Sequence, residues 1–359
     1  MKVAVIHGEV AEHAGWDEKD VLVQVDVVSE GLAALGHEPV AVPVSLNLEE
    51  AARTLTALNP ELAFNLVESL SGKGSLIHIV PALLDALKIP YTGSRTEAII
   101  LTSNKVLAKK WLGAAELPTP PWFTTGERRE ELLVSGPWLV KSAWEHASIG
   151  LDEDSVIPEA DRERLLAEME ARREVLGGAC LAEAFIDGRE FNLSLLAGGR
   201  DPHDTCPAHA VGDSLSRHVG GGPDGLDSLP LACGNGPEVL PPAEIRFDAY
   251  PPGKVRVVGY RSKWVVGSFE FSQTPRSFEF PETDAPLLAR LKELAVHCWK
   301  LFDLQGYARV DFRVDKEGCP WILEVNTNPC LSPDAGFHAA TLRAGLTFSE
   351  VLKRIIGRF

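Results

Sequence analysis

Two short stretches near the C-terminal end carry acids and amides at the spacing of β-strands. Residues 306–330 read GYARVDFRVDKEGCPWILEVNTNPC, and polar and apolar side chains alternate on both sides of a turn. Residues two apart in a strand share a face, so Arg309 and Asp311 point the same way. If the two runs pair as a hairpin, Glu324 and Asn326 of the second run converge on them.

The same alternation predicts the two faces of this hairpin, whose turn we place at 315–318. In each run, one face is expected to point into the core and the other to carry the polar groups. The opposed sets are Ala308, Val310, Phe312 and Val314 against Arg309, Asp311 and Arg313 in the first run, and Trp321, Leu323 and Val325 against Ile322, Glu324 and Asn326 in the second.

The convergence of Asp311, Glu324 and Asn326 suits a particular metal. Two carboxylates and an amide oxygen are hard ligands for Mg²⁺, which keeps several waters and takes further oxygens from phosphates. Arg309 alongside would neutralise a developing anion, so the set favours phosphoryl transfer from ATP. The spacing alone leaves a solvated polar face with surface ion pairs as the alternative, although Asn is a poor strand residue.

Length and composition set bounds on the kind of protein. The chain has 359 residues, which favours two or three domains. Its formal net charge of −16 disfavours a non-specific nucleic-acid binder. It has no 18-residue apolar run, and its N-terminus turns polar too soon for a signal peptide. The six cysteines form no CxxC pair and predict no disulfide framework, which favours a cytoplasmic location.

The N-terminal quarter of the chain alternates between strand and helix patterns. Short apolar runs predict strands, and apolar residues at helical spacing predict the helices between them. This is the pattern of a doubly wound α/β unit, although His7-Gly8-Glu9 does not extend to a Rossmann glycine fingerprint. The predicted strands are 2–6, 39–44 and 62–67, and the predicted helices are 21–35 and 75–87.

The remainder reads as α+β units interrupted by one long segment without periodicity. Residues 199–237 are rich in Gly, Pro, Asp and His and predict a substrate lid or a disordered loop. The Cys and His residues in it leave a zinc site as a further option, without the tight spacing that ligands usually show. The predicted helices are 104–116, 160–175, 287–301, 337–345 and 348–357, and the predicted strands besides the hairpin are 138–143, 180–186, 254–259 and 263–271.

The hairpin and its surroundings resemble a known family. GYARVDF followed by ILEVNTNPCLSPDAGF is similar to the C-terminal signature of the ATP-grasp superfamily, and within it to D-alanine–D-alanine ligase-like enzymes. Upstream pieces agree in order: IPYTGS at 89–94, Lys105 after Asn104, VKSAWEHASIG at 140–150 and LAEAFIDGREF at 181–191. The resemblance covers nearly the whole chain.

This resemblance implies a mixed α/β and α+β protein with the ATP-grasp fold. An N-terminal doubly wound (pre-ATP-grasp) domain would be followed by two α+β subdomains that clasp ATP. The implied divisions are an N-terminal substrate-side domain at 1–95, a central subdomain at 96–186, and a C-terminal subdomain at 187–359 that carries the Mg²⁺ site and the insertion at 199–237.

The resemblance also implies roles for residues that would hold ATP. Any single lysine is most often a surface residue, but Lys141 lies inside an apolar strand, where an unpaired lysine is costly. The matched positions are Lys105 and Lys141 for the phosphates and base, Glu183, Phe185 and Ile186 for the hinge beside adenine, Glu190 for the ribose hydroxyls, and Lys263 for phosphate contact from a mobile loop.

Within the hairpin, the resemblance implies two Mg²⁺ ions, with Mn²⁺ as a substitute. Asp311, Glu324 and Asn326 would bind them, with Glu324 bridging the pair. Arg309 would stabilise the acyl phosphate and the tetrahedral intermediate. The backbone N–H of Cys330 would donate to the oxyanion, whereas its thiol is read as a small packing group.

The chain departs from the family on the side of the amino-acid substrates. Of the paired serines in the family's glycine-rich phosphate loop, it keeps Ser148 only. Trp264 stands where the family has tyrosine, and Ala335 where it has a carboxylate-holding serine. The acid that meets the incoming amino group has no clear match, and Asp20 is the closest.

We therefore expect an ATP-dependent carboxylate–amine ligase that forms a dipeptide-like amide through an acyl phosphate and releases ADP and phosphate. A thiol in place of the amine, a carboxylate kinase, and an ATP-binding regulatory or peptide-binding module without turnover are the alternatives. The expected partners are small amino-acid-like molecules, without nucleic acid or membrane, and a homodimer is left open.

Overall fold

The computed structural model describes residues 1–11, 13–125, 136–144, 148, 150–158, 161–198 and 236–357. Within these ranges, no helix combines the length and the apolarity needed to cross a membrane. The strands are β1 (Lys2–Gly8), β2 (Glu38–Val44), β3 (Leu62–Asn65), β4 (Trp122–Phe123), β5 (Trp138–Ser142), β6 (Val156–Ile157), β7 (Cys180–Ala184), β8 (Arg189–Leu196), β9 (Glu238–Val239), β10 (Ala243–Ile245), β11 (Arg276–Ser277), β12 (Tyr307–Val314) and β13 (Pro320–Asn326). The helices are α1 (Trp16–Ala34), α2 (Leu48–Leu58), α3 (Ile79–Leu87), α4 (Thr96–Ser103), α5 (Lys105–Ala114), α6 (Arg162–Arg172), α7 (Tyr260–Trp264), α8 (Phe269–Ser272), α9 (Ala285–Leu301), α10 (Gly336–Arg343) and α11 (Phe348–Ile356).

The N-terminal unit is a parallel sheet between helices, as the sequence predicted. β1 lies in the middle, with β2 and β3 paired on either side of it. Alternate residues of β1 serve the two faces: Val3 packs with Val28 of α1, and Ile6 packs with Leu84 of α3. Each fully buried aliphatic side chain of this kind contributes about 1.5–3 kcal/mol. Burial on both faces explains why this strand reads as a continuous apolar run.

The central unit is an antiparallel sheet in the order β4-β7-β5-β6. Helix α6 covers it, and its Leu165 and Met169 pack in one cluster with Trp138. The helix begins at a capping residue, because Oδ1 of Asp161 accepts a hydrogen bond from the backbone N of Arg164 at 2.8 Å. The predicted helix and both predicted strands in this unit are confirmed, each with somewhat shorter bounds.

The largest sheet contains the hairpin, in the order β11-β10-β8-β12-β13, with β9 paired to β8. Strand β8 is antiparallel to β12 along its whole length. The sequence analysis did not predict β8, because it read this stretch only as part of a hinge motif. The signal was nevertheless present: Phe191, Leu193 and Leu195 alternate with polar residues and enter the core.

The hairpin forms, but one extra residue in β13 changes its predicted faces. Asp311 stands opposite Glu324, whereas Phe312 stands opposite Ile322. Leu323 is therefore the additional residue of a β-bulge. The strict alternation was wrong at this point: Ile322 is buried in the core, and Leu323 lines a cavity beside Glu324.

The two strands predicted within 254–271 were wrong. The structure has the short helices α7 and α8 in this range, and no strand. The hydroxyl of Ser268 accepts from the backbone N of Phe271 at 3.0 Å and so caps α8. Apolar residues here do not enter a sheet, and the side chain of Val266 is 82% exposed. The apolar run at 254–271 therefore has the sequence pattern of a strand without forming one.

Helices α4 and α5 connect the central part of the sequence to the largest sheet. Helix α4 was not predicted as an element. Its Ala98 joins Ala108 and Leu112 of α5 in the same cluster as Val325 of β13. The elements that follow residue 96 thus pack on the C-terminal sheet. The domain division at residue 96 stays a prediction.

The C-terminal helices pack back onto the N-terminal unit. Ile355 of α11 lies in one cluster with Val28 and Leu32 of α1. A side chain at Gly31 would clash with Leu352, so glycine allows this close approach. At the end of the hairpin, Nδ2 of Asn328 donates to the backbone carbonyl of Val67 at 3.0 Å, so the loop after β3 lies against it.

Candidate active site

A cavity of about 750 Å³ lies between these units and divides into three parts. We call them the slot, which is apolar, the floor, which is charged, and the chamber, which is bordered by α1. The slot is lined by Leu139, Phe185, Ile186, Ile245, Val257 and Leu323; the floor by Glu190, Asn192, Arg309, Asp311, Arg313, Glu324 and Asn326; and the chamber by Asp20, Glu68, Arg276, Cys330 and Asp334.

The structure brings all the residues named for catalysis, ATP or metal to this one cavity. They come from regions spread across the chain, so their convergence is a tertiary property. The roles themselves stay predictions. The residues are Lys105, Lys141, Ser148, Glu183, Phe185, Ile186, Glu190, Lys263, Arg309, Asp311, Glu324, Asn326 and Cys330.

Arg309 and Asp311 form an ion pair with two hydrogen bonds at the centre of the floor. Nε and Nη2 of Arg309 lie 2.7 and 2.8 Å from the carboxylate oxygens of Asp311. Asn192 of β8 donates from Nδ2 to the same carboxylate at 2.8 Å. Burial disfavours the charge of Arg309, but Asp311 outweighs this and raises the pKa of the guanidinium. A permanent cation therefore lies at the centre of the floor.

The donors for a metal lie side by side on this floor. Burial and the neighbouring Glu324 raise the pKa of Asp311, against the opposing effect of Arg309. Asp311 and Glu324 stand directly opposite each other, and like charges in such a pair repel. Asn326 lies two residues further along β13, opposite Arg309, and supplies an amide. Among the described residues there is no group of three His, Cys, Asp or Glu side chains that could hold a metal, so the set is two acids and an amide, which fits Mg²⁺.

Lys105 reaches the floor from the start of α5. Asn104 caps this helix, because its Oδ1 accepts from the backbone N of Val106 and of Leu107, both at 3.0 Å. The cap fixes where the helix begins and so directs Lys105 towards β13. Its Nζ lies 3.8 Å from Oε2 of Glu324.

Glu183 of β7 is buried between two lysines. Nζ of Lys141 lies 2.7 Å from its Oε1, and Lys109 pairs with its other oxygen. Burial alone would raise the pKa of Glu183, but the two lysines together hold it below its usual range. Burial lowers the pKa of Lys109 to about 8. The carboxylate therefore serves as the counter-ion of both lysines beneath the slot.

Lys109 has no role in the sequence analysis, which read it only as a residue of the α5 helix. It is nearly inaccessible and also donates to Oγ1 of Thr119 at 2.7 Å. The same hydroxyl donates to the backbone carbonyl of Ile322 at 3.0 Å, so the contact connects α5 to β13. The signal that could have found it is its spacing, one helical turn after Lys105.

Phe185 and Ile186 line the slot where β7 ends. The guanidinium of Arg313 lies 5.5 Å from the ring centres of both Phe185 and Phe247. Its Nη2 also lies 2.7 Å from Oε2 of Glu190. Burial raises the pKa of Glu190, with Arg313 opposing. The sequence analysis left Arg313 without a role. Its guanidinium contacts both Glu190, which is predicted to bind the ribose, and the rings of Phe185 and Phe247.

Ser148 and Lys263 approach from the segments that cover the cavity. Oγ of Ser148 donates to the backbone carbonyl of Val258 at 3.0 Å, which joins the two covering segments. Burial and, second, Arg309 lower the pKa of Lys263, and acids of the floor oppose this. The neighbours of Ser148 at 145–147 and 149 lie outside the described residues. So do residues 199–235 of the insertion predicted at 199–237, with its lid and zinc alternatives.

The chamber is closed on one side by α1 and the loop after β13. Oδ1 of Asp20 accepts from Oγ of Ser332 at 2.9 Å, and its Oδ2 accepts from Sγ of Cys330 at 3.0 Å. Gln24, one turn further along α1, donates to Oε1 of Glu68 at 2.8 Å. Burial raises the pKa of Cys330 well above its usual range, so the thiol is a hydrogen-bond donor and not a nucleophile at neutral pH. Glu68 was not found from the sequence.

Arg276 of β11 also lines the chamber and was not predicted. Its Nη1 donates to the backbone carbonyl of Asp334 at 2.8 Å, and its Nε lies 3.5 Å from where a Cβ on Gly336 would stand. Desolvation and, second, the charge of Arg309 lower its pKa. Two guanidiniums that line one cavity favour anions there.

Comparison with known proteins supports the relationship that the hairpin suggested. The family model described as D-ala D-ala ligase C-terminus matches residues 254–357, which include the hairpin and Lys263. The D-alanine--D-alanine ligase of Moorella thermoacetica is 26% identical over 99% of this chain and 98% of its own length. Uncharacterized protein y4sG of Sinorhizobium fredii is 26% identical over 82% of this chain and 73% of its own length.

Solved structures share the fold of the whole chain. The D-alanine--D-alanine ligase of Bacillus anthracis complexed with ATP has a TM-score of 0.67 and 23% identity, and covers 99% of this chain and 96% of that one. The D-alanyl-alanine synthetase A of Vibrio cholerae has a TM-score of 0.65 and 16% identity, and covers 99% and 98%. The predicted ATP-grasp fold is confirmed, and the family model and the relatives support a relationship of this chain to the D-alanine–D-alanine ligases.

Proposed function

We propose that the chain is an ATP-dependent, ADP-forming ligase that joins a carboxylate to an amine through an acyl phosphate. The observation that carries the proposal is the floor, where Arg309 pairs with Asp311 directly opposite Glu324. A module that only binds a nucleotide needs the slot and the lysines. It does not need the cation and the two acids of the floor. The relatives named D-alanine--D-alanine ligase support the same class of reaction.

In this proposal the slot takes the adenine ring, between Phe185 and Ile186 on one side and the bulged Leu323 on the other. Glu190 accepts from the ribose hydroxyls, and Lys105, Lys141 and Lys263 attract the phosphates. Asp311, Glu324 and Asn326 would hold Mg²⁺, which when bound neutralises phosphate charge.

Arg309 is the cation at the centre of the floor, and in this proposal the new bond forms beside it. We assign it to the carboxylate that accepts the γ-phosphoryl group, and then to the tetrahedral intermediate formed when the amine attacks. Phosphoryl transfer depends mainly on positioning and charge stabilisation, which a cation held by Asp311 supplies without reorganisation. The backbone N–H of Cys330 is assigned as a second donor to the oxyanion.

Amino acids are the substrate class that the chamber suits. Acids from the α1 side and Arg276 both line it, and these match the ammonium and carboxylate groups of an amino acid. D-Alanine is one candidate, because the named relatives act on it. Ala335 and the engaged Asp20 differ from the family pattern, so other amino acids are equal candidates. We also propose a cytoplasmic location on the cysteine usage, and a homodimer is to be tested by mass in solution.

The test is ADP release from ATP and Mg²⁺ over a panel of D- and L-amino acids, hydroxy acids and amines, with products identified by mass. The proposal expects ADP, phosphate and an amide from at least one pair. Acyl phosphate without an amide would make the chain a carboxylate kinase. Bound ATP without turnover would favour a regulatory module, and AMP as the product would contradict the ligase outright.

A further inference from the structure

Glu68 is an acid of the chamber that the proposed reaction has not yet used. It lies half-buried in the loop after β3 and lines the cavity together with Arg309 and Cys330. Its Oε1 accepts from Nε2 of Gln24 at 2.8 Å. Within the part of the chain that the structure describes, Gln24 is the one hydrogen-bond donor to Glu68. The second carboxylate oxygen is therefore available to a ligand.

Asp20, the acid that the sequence placed closest to the amino group, instead connects two elements of the fold. Both of its oxygens already accept hydrogen bonds, one from Ser332 and the other from Cys330 and, at 3.3 Å, Gln24. These bonds hold α1 against the loop after β13. Replacing them by a ligand would leave buried donors unpaired, which costs about 1–3 kcal/mol each.

Gln24 holds Glu68 in a defined place. The Gln24 side chain is buried, and its Oε1 accepts from the backbone N of Leu331 at 3.0 Å. The amide thus connects Glu68 to the loop that carries Cys330, the predicted oxyanion donor. An amine bound at Glu68 would lie in the same chamber as an acyl group held beside Arg309.

The charge environment suits a proton acceptor near neutral pH. Burial raises the pKa of Glu68 to about 7, with Asp20 adding to this and Gln24, Arg309 and Lys263 opposing. Tyr307 and Cys330 have pKa values raised well above their usual ranges by burial, so both are protonated at pH 7 and cannot accept a proton. The titratable or charged groups that face Glu68 are Asp20 from α1, Tyr307 and Arg309 from β12, Lys263 from α7 and Cys330 from the loop after β13.

We propose, resting on the ligase function above, that Glu68 binds the ammonium group of the second substrate and accepts its proton. The carboxylate of Glu68 takes one proton, and the nitrogen lone pair attacks the acyl carbon. The C–N bond forms, the bond from the carbonyl carbon to the phosphate oxygen breaks, and phosphate leaves with that electron pair. The second nitrogen proton goes to the leaving phosphate, which balances atoms and charge. A positioned general base of this kind contributes about 10²–10⁴-fold.

The test compares two nucleophiles in wild type and in Glu68→Gln. Amino acids from the panel are charged at neutral pH and need a base, whereas hydroxylamine is already neutral and traps the acyl phosphate as a hydroxamate. Glu68→Gln should lower kcat/KM for amide formation by about 10²–10⁴-fold and leave hydroxamate formation near the wild-type rate. The rise of wild-type amide formation around pH 7 should disappear in the variant, and Glu68→Asp should restore part of it.

The matched control is Glu97→Gln, which removes the same charge from an exposed position on α4. Equal loss with both nucleophiles in Glu68→Gln would mean a structural role and overturn the inference while the ligase stands. Unchanged amide formation would overturn it as well. Neither ADP nor hydroxamate from wild type with any carboxylate of the panel would overturn the ligase proposal and this inference together.

Discussion

The floor and the chamber share one cavity but are built in different ways. On the floor, Glu190, Asp311 and Glu324 stand on three adjoining strands, so the register of the sheet decides where each side chain points. In the chamber, Glu68 and Arg276 come from a loop and a two-residue strand far apart in sequence. A strand pattern can reveal the first arrangement but not the second. The difference teaches that a site built on paired strands, such as the proposed ATP site, can be predicted from a sequence, whereas a site made of loops, such as the proposed substrate site, cannot.

The largest expected effect lies on the floor. Glu324→Gln should lower kcat about a thousandfold, since metal-assisted charge stabilisation contributes several kcal/mol, and it should leave the fold intact. The measurement is steady-state ADP release, with circular dichroism as the check of folding. Glu317→Gln, at an exposed position in the turn of the same hairpin, is the control. Near-normal turnover in Glu324→Gln would return the hairpin to a solvated polar face.

The next effect concerns stability beneath the slot. Glu183→Gln should lower the free energy of unfolding by about 3–5 kcal/mol, because Lys109 and Lys141 would lose their buried counter-ion. Lys109→Met should cost less, since the ion pair of Glu183 with Lys141 remains. Urea unfolding of both variants measures the difference. If the two cost the same, the triad does not act as a charge-balanced unit.

In the chamber, Arg276→Gln should change substrate affinity more than chemistry. One lost hydrogen bond to a charged group corresponds to about 1.5–3 kcal/mol, or roughly a tenfold or larger rise in the KM of the amino-acid substrate. The KM of ATP should stay near that of wild type, because Arg276 does not line the slot. Arg53→Gln is the control, because the side chain of Arg53 is exposed on α2. A rise in the KM of ATP alone would assign Arg276 to the floor instead.

The smallest effect is a pH dependence of stability at Glu68. Its pKa is raised to about 7 in the folded protein from an ordinary 4.5, so the folded state binds more protons than the unfolded state between these values. Stability contributed by protonated Glu68 is therefore lost as pH rises from 4.5 through 7. The melting temperature of Glu68→Gln minus that of wild type should therefore be more positive at pH 8 than at pH 4.5. A difference that does not change with pH would mean that Glu68 has an ordinary pKa.

The outcome of the sequence predictions follows the same division. The hairpin turn, the covered parallel sheet and the polar set Arg309, Asp311, Glu324 and Asn326 were predictable, because each rests on a short-range period. The bulge at Leu323 was not, since the extra residue is specified by pairing with β12 and not by the pattern of β13 itself. The strands predicted within 254–271 failed because the segment lies over the cavity, where apolar residues need not enter a sheet.

By itself, the sequence determined the resemblance to a known family, the fold class and the residues that surround the proposed ATP site, because these depend on local periods and on a signature contained in one hairpin. Only the tertiary structure decided that Lys109 shares Glu183 with Lys141, that Asp20 is fully engaged, and that Glu68 is not. The physical reason is that a buried charge is defined by its partners. Those partners lie tens to hundreds of residues away, where no sequence spacing records them.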